Sequence, residues 1–454
     1  METSRLFLPA VAPHSAGDFY ALVSGEALEQ RGAPARVAWE IERLAAQRGW
    51  PAGESLGSEA ELRRWFGVSR ETLREAIRIG ESRGAMRMKR GRSGGLILSR
   101  PTIEQTAASL AAYMRATGIS STEFERSVRG FDMLLAWQLV RGPKELPARR
   151  INESPRHWLA RASGRTTYLI YLAALDELAP HMTGRAGIPK ELGEVIAKRD
   201  PGAIMELLSK LPFVSSRAHA EESSCPDNSA RAAAIAVAMA ERGVSGGAVD
   251  LGNEAALCED FDTSRPILRQ ALRILQDLDL IQVRLGRGGG YTLKPPSPIG
   301  IIRQMFVWLA ARNCCPFSLN ELMWDLNSAN LRIAGEQLAA MTQAERHSHC
   351  DRLDRILKES PPGAKFIALQ QGLAAIARCP VVDTLARCIV SYQARSYGDL
   401  PMQSPVPAFK SMQSAIVEAL RACEIDKGER TLRRLQNRFE EAAMKNAGFL
   451  TAAE

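Results

Sequence analysis

The chain has 454 residues, 45% of them hydrophobic and 24% charged, aromatics are sparse at 6%, and the formal net charge is +8. That length has room for about three or four ordinary domains, and the balance is that of a globular, mainly helical protein whose basic surplus suits a polyanion partner. No segment approaches the roughly 20 apolar residues that cross a bilayer, and the apolar piece Leu6–Ala12 is too short for a secretory signal, so a cytoplasmic protein with no membrane partner is expected.

In chain order, residues 1–33 form an N-terminal extension with at most a short helix from Asp18 to Gln30. Val37, Ile41, Leu44 and Ala45 then fall at helical spacing and open a unit over 34–101. Ser58 is placed to cap a short helix that turns Leu62 and Phe66 inward, and Gly67-Val68-Ser69 breaks it. Ser69 caps a second helix running to about Arg83, with Leu73, Ile77 and Gly80 as its buried stripe and Arg70, Thr72, Arg74 and Arg78 outside. From Met86 to Leu98 two short apolar-alternating segments flank a Gly-rich basic tip carrying Lys89, Arg90, Arg92 and Gly94, which reads as a hairpin. Two short helices with a tight turn, the second with a basic outer face, followed by a basic hairpin, form a winged helix-turn-helix; its second helix enters the DNA major groove. Arg83, Arg87, Lys89, Arg90 and Arg92 read together as a positive cluster around the wing.

Residues 102–220 follow as a helical bundle with helices expected over Glu123–Val140, His157–Leu178 and Lys190–Leu211. The polar stretch Ser215–Asn228 is a linker. The chain then repeats itself: Gly57 to Pro101 aligns with Gly252 to Pro296 at one constant offset and without a gap, including Leu73-Arg74 against Leu268-Arg269 and Gly94-Gly95 against Gly289-Gly290. A supersecondary unit present twice in one chain is the signature of duplication, and 226–298 is read as a second winged helix-turn-helix. Its candidate DNA contacts are Ser264, Arg265, Arg269, Arg273, Arg287 and Gly289, beside Ser69, Arg70, Thr72, Arg74, Arg78 and the wing residues of the first. The copies differ where they would read DNA: Gly67 becomes Asp262, Glu71-Thr72 becomes Pro266-Ile267, and Asp277 and Asp279 precede a less basic wing. Pro295 to Pro298 stiffen the exit into a second bundle, 299–450, with helices expected over Phe317–Met341, Lys365–Ile376 and Phe409–Phe439.

The segments Pro51–Glu59, Val68–Ala76 and Gly91–Gly95, with a second match over Asp250–Gly290, resemble the GntR family of bacterial transcription regulators. The helical stretch after each unit is similar to the FadR-like branch, whose effector domain is an all-α bundle. The resemblance implies double-stranded DNA as partner, a small-molecule effector of the carboxylate or acyl thioester class, and homodimers as the usual assembly. Arg129 and Arg332 are the first arginines to consider for such an effector. The first bundle would serve as a pseudo-dimerisation scaffold and the second as the sensor. Where the family carries an Arg two residues into the first turn-helix, this chain has Ala60 and Ala255. Where many members of the branch hold a divalent metal through an Asp and three His, the second bundle has Gly363 or its neighbours, Ile367, Gln413 and Arg438, so no metal is expected.

Nothing in the sequence points to an enzyme or a cofactor. The six histidines form no ligand or nucleophile set: His347 and His349 are two apart on a polar helix, and His157 and His181 edge an apolar one. All eight cysteines lie from Cys225 onward without paired spacing and read as core thiols. The expected architecture is mainly α: two winged helix-turn-helix domains, each followed by an all-α bundle. Two functions stay open, a DNA-binding regulator with two unlike heads and a helical interaction protein whose winged modules dock on protein partners.

Overall fold

Pro34 starts the first helix, α1 (Ala33–Gln47), which buries Val37, Ala38, Ile41, Leu44 and Ala45 on one face. The computed structural model describes residues 32–89, 91, 94–142, 146–148, 150, 153–179, 192–213, 228–245, 249–284, 286, 289–360, 365–396 and 408–446. Arg90, Arg92, Arg287 and His181, the segment Asp18–Gln30, most of the Ser215–Asn228 linker and Gly363 lie outside the described residues.

α2 (Glu59–Phe66) begins with a capping box in which Ser58 and Glu61 satisfy each other's backbone N–H, and Gly67 ends it at φ 63°. The Ser69 hydroxyl accepts from the Thr72 backbone N–H and starts α3 (Arg70–Ser82), which buries Leu73, Ala76, Ile77 and Gly80. β1 (Met86–Lys89) and β2 (Gly95–Leu98) pair antiparallel, Met86 opposite Leu98 and Lys89 opposite Gly95. Residues 228–293 form α10 (Asn228–Glu241), β3 (Asp250–Gly252), α11 (Glu254–Asp260), α12 (Arg265–Asp277), β4 (Ile281–Arg284) and β5 (Gly290–Leu293), in a sheet ordered β3-β5-β4 where the first stretch has two strands and a single bridge from Ser55 to Ile97. At the offset of the sequence repeat the backbone also turns left-handed at matching places: Gly67 and Asp262, Gly84 and Asp279, Gly91 and Gly286, Gly118 and Asn313. Asp and Asn tolerate that region better than other side chains, so the turns survive without glycine.

Between these stretches lie α4 (Ile103–Ala116), α5 (Ser121–Arg141), α6 (Pro155–Ala162), α7 (Thr166–Leu178), α8 (Leu192–Ala197) and α9 (Pro201–Ser209). After them come α13 (Ile299–Ala310), α14 (Asn320–Ala340), α15 (Gln343–Glu359), α16 (Lys365–Ala377), α17 (Pro380–Ser396), α18 (Ala408–Arg421) and α19 (Ile425–Asn446). The chain is mainly helical, but three expected helices are each two. Gly164 at φ 70° divides His157–Leu178, Arg199 at φ 54° divides Lys190–Leu211, and Cys423 at φ 59° divides Phe409–Phe439. An uninterrupted apolar period does not reveal such a turn, because each half keeps its own buried face.

The two halves are interleaved. α10 lies along α4, where Ala232, Ala236 and Ala240 and Ala107, Ala111 and Ala112 are buried and allow a close approach. α1 meets α13, with the Trp39 and Phe306 rings 4.7 Å apart. The opening helix of each half, α1 or α10, thus rests on the helix that follows the hairpin of the other half, α13 or α4. At the far end α5 packs antiparallel on α14, tied by Arg129 to Glu336 at 2.6 Å, Arg126 to Gln337 at 2.8 Å and Arg141 to Asp325. Gly130 brings α5 against α17, since a Cβ there would lie 2.7 Å from Val382 Cγ2.

Candidate nucleic-acid interface and a cavity in the first bundle

The outer face of α3 carries Arg70, Arg74 and Arg78, with side chains 63%, 50% and 60% exposed. Glu59, the first residue of α2, holds two of them: Arg70 Nε donates to its carboxylate at 2.8 Å and Arg74 Nε at 3.1 Å. Burial alone would raise the Glu59 carboxyl, but the hydrogen bonds and charge of the two arginines bring its pKa below the ordinary carboxylate value. Arg78 pairs with Glu75 at 2.9 Å one turn along. No sequence pattern marks Glu59 as part of this face, because its partners are 11 and 15 positions away across the turn.

The corresponding face of α12 exposes Arg265, Arg269 and Arg273, and Arg269 pairs with Glu254 at 2.9 Å. Ser264 makes no side-chain cap there, unlike Ser69, and Pro266 occupies the first turn. Ile267 is half-buried where Thr72 accepts or donates a hydrogen bond with Ser69 at 2.9 Å.

Lys89 ends β1 in an exposed position, and the Gly94 N–H closes the wing onto the Gly91 carbonyl at 2.9 Å. Gly289 does the same to Gly286 at 2.9 Å. Next to these, Gly95 and Gly290 answer an internal need: a Cβ on Gly95 would lie 2.7 Å from the Gly57 carbonyl oxygen, and one on Gly290 2.5 Å from that of Gly252. The wing glycines let the hairpin lie against the loop that precedes the turn-helix.

Arg83 does not belong to the basic cluster around the wing, as its sequence position suggests. Its side chain is 1% exposed and bonded to Glu42 and Asp277. Asp277 is correspondingly no acidic neighbour of the second wing but a buried partner of that arginine, while Asp279 turns left-handed and pairs with Lys294 at 2.8 Å.

The first bundle holds a half-open cavity of about 530 Å³ between α4, α5, α7 and α9. Ile119, Phe124, Val128, Met205, Leu211 and Phe213 form its apolar walls; Arg115, Arg129 and Arg156 supply positive charge, and Glu125 and Asp132 negative. Asp132 and Arg156 are buried and bidentate, at 2.8 and 2.9 Å, and Arg156 also donates to the Leu208 carbonyl at 2.9 Å. That pair neutralises itself, and the other two arginines at the cavity have partners too: Arg115 reaches Glu241 and the Leu178 carbonyl. Arg129 keeps its contact with Glu336 across the bundles. Arg332 lies elsewhere, bound to Asp426 at 2.7 Å and to Glu429.

One histidine is in closer company than its sequence neighbourhood indicates. His157 Nδ1 is 2.7 Å from Ser154 Oγ, and Nε2 is 3.0 Å from Asp176 on α7. The sequence reads His157 as an edge residue of an apolar helix, and the structure adds these two side-chain partners. Ser154 is buried and serves as the cap of α6, accepting from the His157 backbone N–H at 3.3 Å, so the set closes a helix start. Among the described residues no group of three His, Cys, Asp or Glu is placed to hold a metal. In the second bundle Ile367 and Gln413 are buried and Arg438 is exposed. No helix among the described residues is long and apolar enough to cross a membrane.

Residues 34–94 match the family model described as bacterial regulatory proteins, gntR family. No curated protein matches the chain, and no solved structure does. The stretch from α1 to the wing is thus similar to the DNA-binding domain of that family of regulators.

Proposed function

We propose that the protein is a sequence-specific transcription regulator that sets two unlike winged heads, 34–101 and 226–298, on one pseudo-palindromic operator and answers to a small amphipathic anion. The observation that carries the two-headed reading is the recurrence, at one offset, of an arginine-faced helix held by a glutamate of the preceding helix: Arg70 and Arg74 on Glu59, Arg269 on Glu254. In this reading Ser69, Arg70, Thr72, Arg74, Arg78, Lys89 and Gly94 serve the first half-site, and Ser264, Arg265, Arg269, Arg273 and Gly289 the second. Most such contacts neutralise phosphate and position the protein, and a few read bases. Thr72 against Ile267 makes the half-sites unequal, because a hydroxyl bonds phosphate or base while an apolar chain meets only something like a thymine methyl.

For the effector, the cavity of the first bundle supports a different assignment of roles from the one the sequence suggests. Its volume lies within the range of small-molecule sites, its walls are apolar, and Arg115 and Arg129 supply positive charge. Sensing then belongs to the first bundle, with an acid carrying an apolar body as ligand class.

The replacement of Thr72 by Ile267 and the missing cap at Ser264 favour a second reading for the second head, a surface for protein contacts. Binding of the full chain to genomic fragments, with the retained sequences read out, separates the two. Enriched sites with two unlike halves support the regulator with paired heads; enrichment of a single half-site leaves the second head to protein.

A further inference from the structure

The closing residues of the two reading helices meet at one buried guanidinium. Arg83, just past α3, donates from Nε to both carboxylate oxygens of Asp277 at 2.9 Å and from Nη2 to Oδ1 at 2.7 Å. Its Nη1 donates to both oxygens of Glu42 on α1 at 2.6 and 2.7 Å. Glu42 is fully buried, the Asp277 side chain is 7% exposed, and the Arg83 carbonyl accepts from Gln304 Nε2 at 3.4 Å. The buried Arg303 of α13 adds a second positive charge whose field reaches Glu42.

These charges are not repeated. At the offset that superposes the halves, Arg83 corresponds to Leu278, Asp277 to Ser82 and Glu42 to Val237. The contact therefore exists only between unlike heads. Two first heads facing each other would set Arg83, still paired with its own Glu42, against Ser82 and lose one carboxylate; two second heads would bury Asp277 against Leu278 with no cation. Removing one partner of a buried ion pair is strongly unfavourable, because the remaining charge stays desolvated. Discrimination through an uncompensated charge is how an interface rejects the wrong partner.

Taking the two-headed reading as its basis, we infer that Arg83 and Asp277 fix the separation of the two DNA half-sites and pair the heads of one chain with each other. Arg83 bonds Glu42 of α1 as well as Asp277, so the end of α12 is tied to two helices of the first head and the angle between α3 and α12, with the distance between their DNA-facing starts, is restrained. Without the joint, the heads would still be tethered, but through bundle contacts alone and with a wider range of separations.

The test uses the full chain and duplexes in which the two selected half-sites are moved apart one base pair at a time. Wild type should show one narrow optimum, at least about tenfold tighter than its neighbours. Asp277→Asn keeps the volume and leaves Arg83 with Glu42; it should flatten that preference to under about twofold, with single-half-site affinity unchanged. Asp277→Glu keeps the charge and adds one methylene, and it should shift the optimum. It also carries the test if the Asn variant fails to fold by near-ultraviolet circular dichroism. A sharp wild-type optimum that both variants preserve overturns this inference alone. A wild type indifferent to half-site separation overturns the two-headed reading and this inference with it.

Discussion

Arg115 at the end of α4 lines the first-bundle cavity and also reaches Glu241 at the end of α10, Nη1 to Oε1 at 3.3 Å. Its Nη2 donates to the Leu178 carbonyl, and its Nε is buried with no hydrogen-bond partner among the described residues. One side chain thus touches both the proposed effector site and α10, the opening helix of the second half. An anion entering the cavity competes with Glu241 for it.

With octanoate and phenylacetate as probes, wild type should gain thermal stability and change its affinity for DNA. Val128→Phe, which narrows the cavity at its apolar wall, should weaken both responses. Arg115→Gln should lose most of the effect on DNA even at saturating probe. A full DNA response in Arg115→Gln would place the coupling elsewhere.

Glu59 restrains Arg70 and Arg74 on the outer face of α3. Glu59→Gln should raise affinity for random duplex, because one negative charge leaves the interface, and should blur the orientation of both arginines. The ratio of operator to random affinity should fall several-fold, as fluorescence anisotropy would read it. Because the Glu59 carboxyl is held below its ordinary value, its contribution to stability is complete above the unfolded carboxylate value. That contribution disappears as pH falls through the lowered one. Acid melting curves of the variant should accordingly be flatter than those of wild type over that window, and identical curves would remove the ion pairs from the account.

The first head should dominate affinity. It has the denser basic wing and the Thr72 hydroxyl, and removing one phosphate-binding arginine should lower the salt slope of binding by about one unit. Arg70→Ala and Arg74→Ala should each cost more than Arg265→Ala and Arg269→Ala. Equal effects from the two pairs would count against unequal heads.

Asp132 and Arg156 form a buried bidentate pair beside the cavity. Asp132→Ala leaves the guanidinium without its carboxylate and should destabilise the protein by about 3–5 kcal/mol in urea unfolding. A double change, Asp132→Leu with Arg156→Met, should recover most of that stability. If the single variant melted like wild type, the pair would have no structural role.

Local patterns were enough to read the helix starts at Ser58 and Ser69, the break at Gly67 and the hairpin after α3. Each depends on residues a few positions apart: a hydroxyl capping an N–H three residues on, or an apolar stripe repeating each turn. Breaks at Gly164, Arg199 and Cys423 were not legible, since the buried face resumes on either side. Nor was the fate of individual charges. Arg83 and Arg70 look alike in sequence, both at the ends of the same basic helix. One is exposed on Glu59, 11 residues away; the other is buried on Asp277, 194 residues away. Whether a charge meets water or a carboxylate is decided by which distant element covers it, and that is set only when the two halves close on each other.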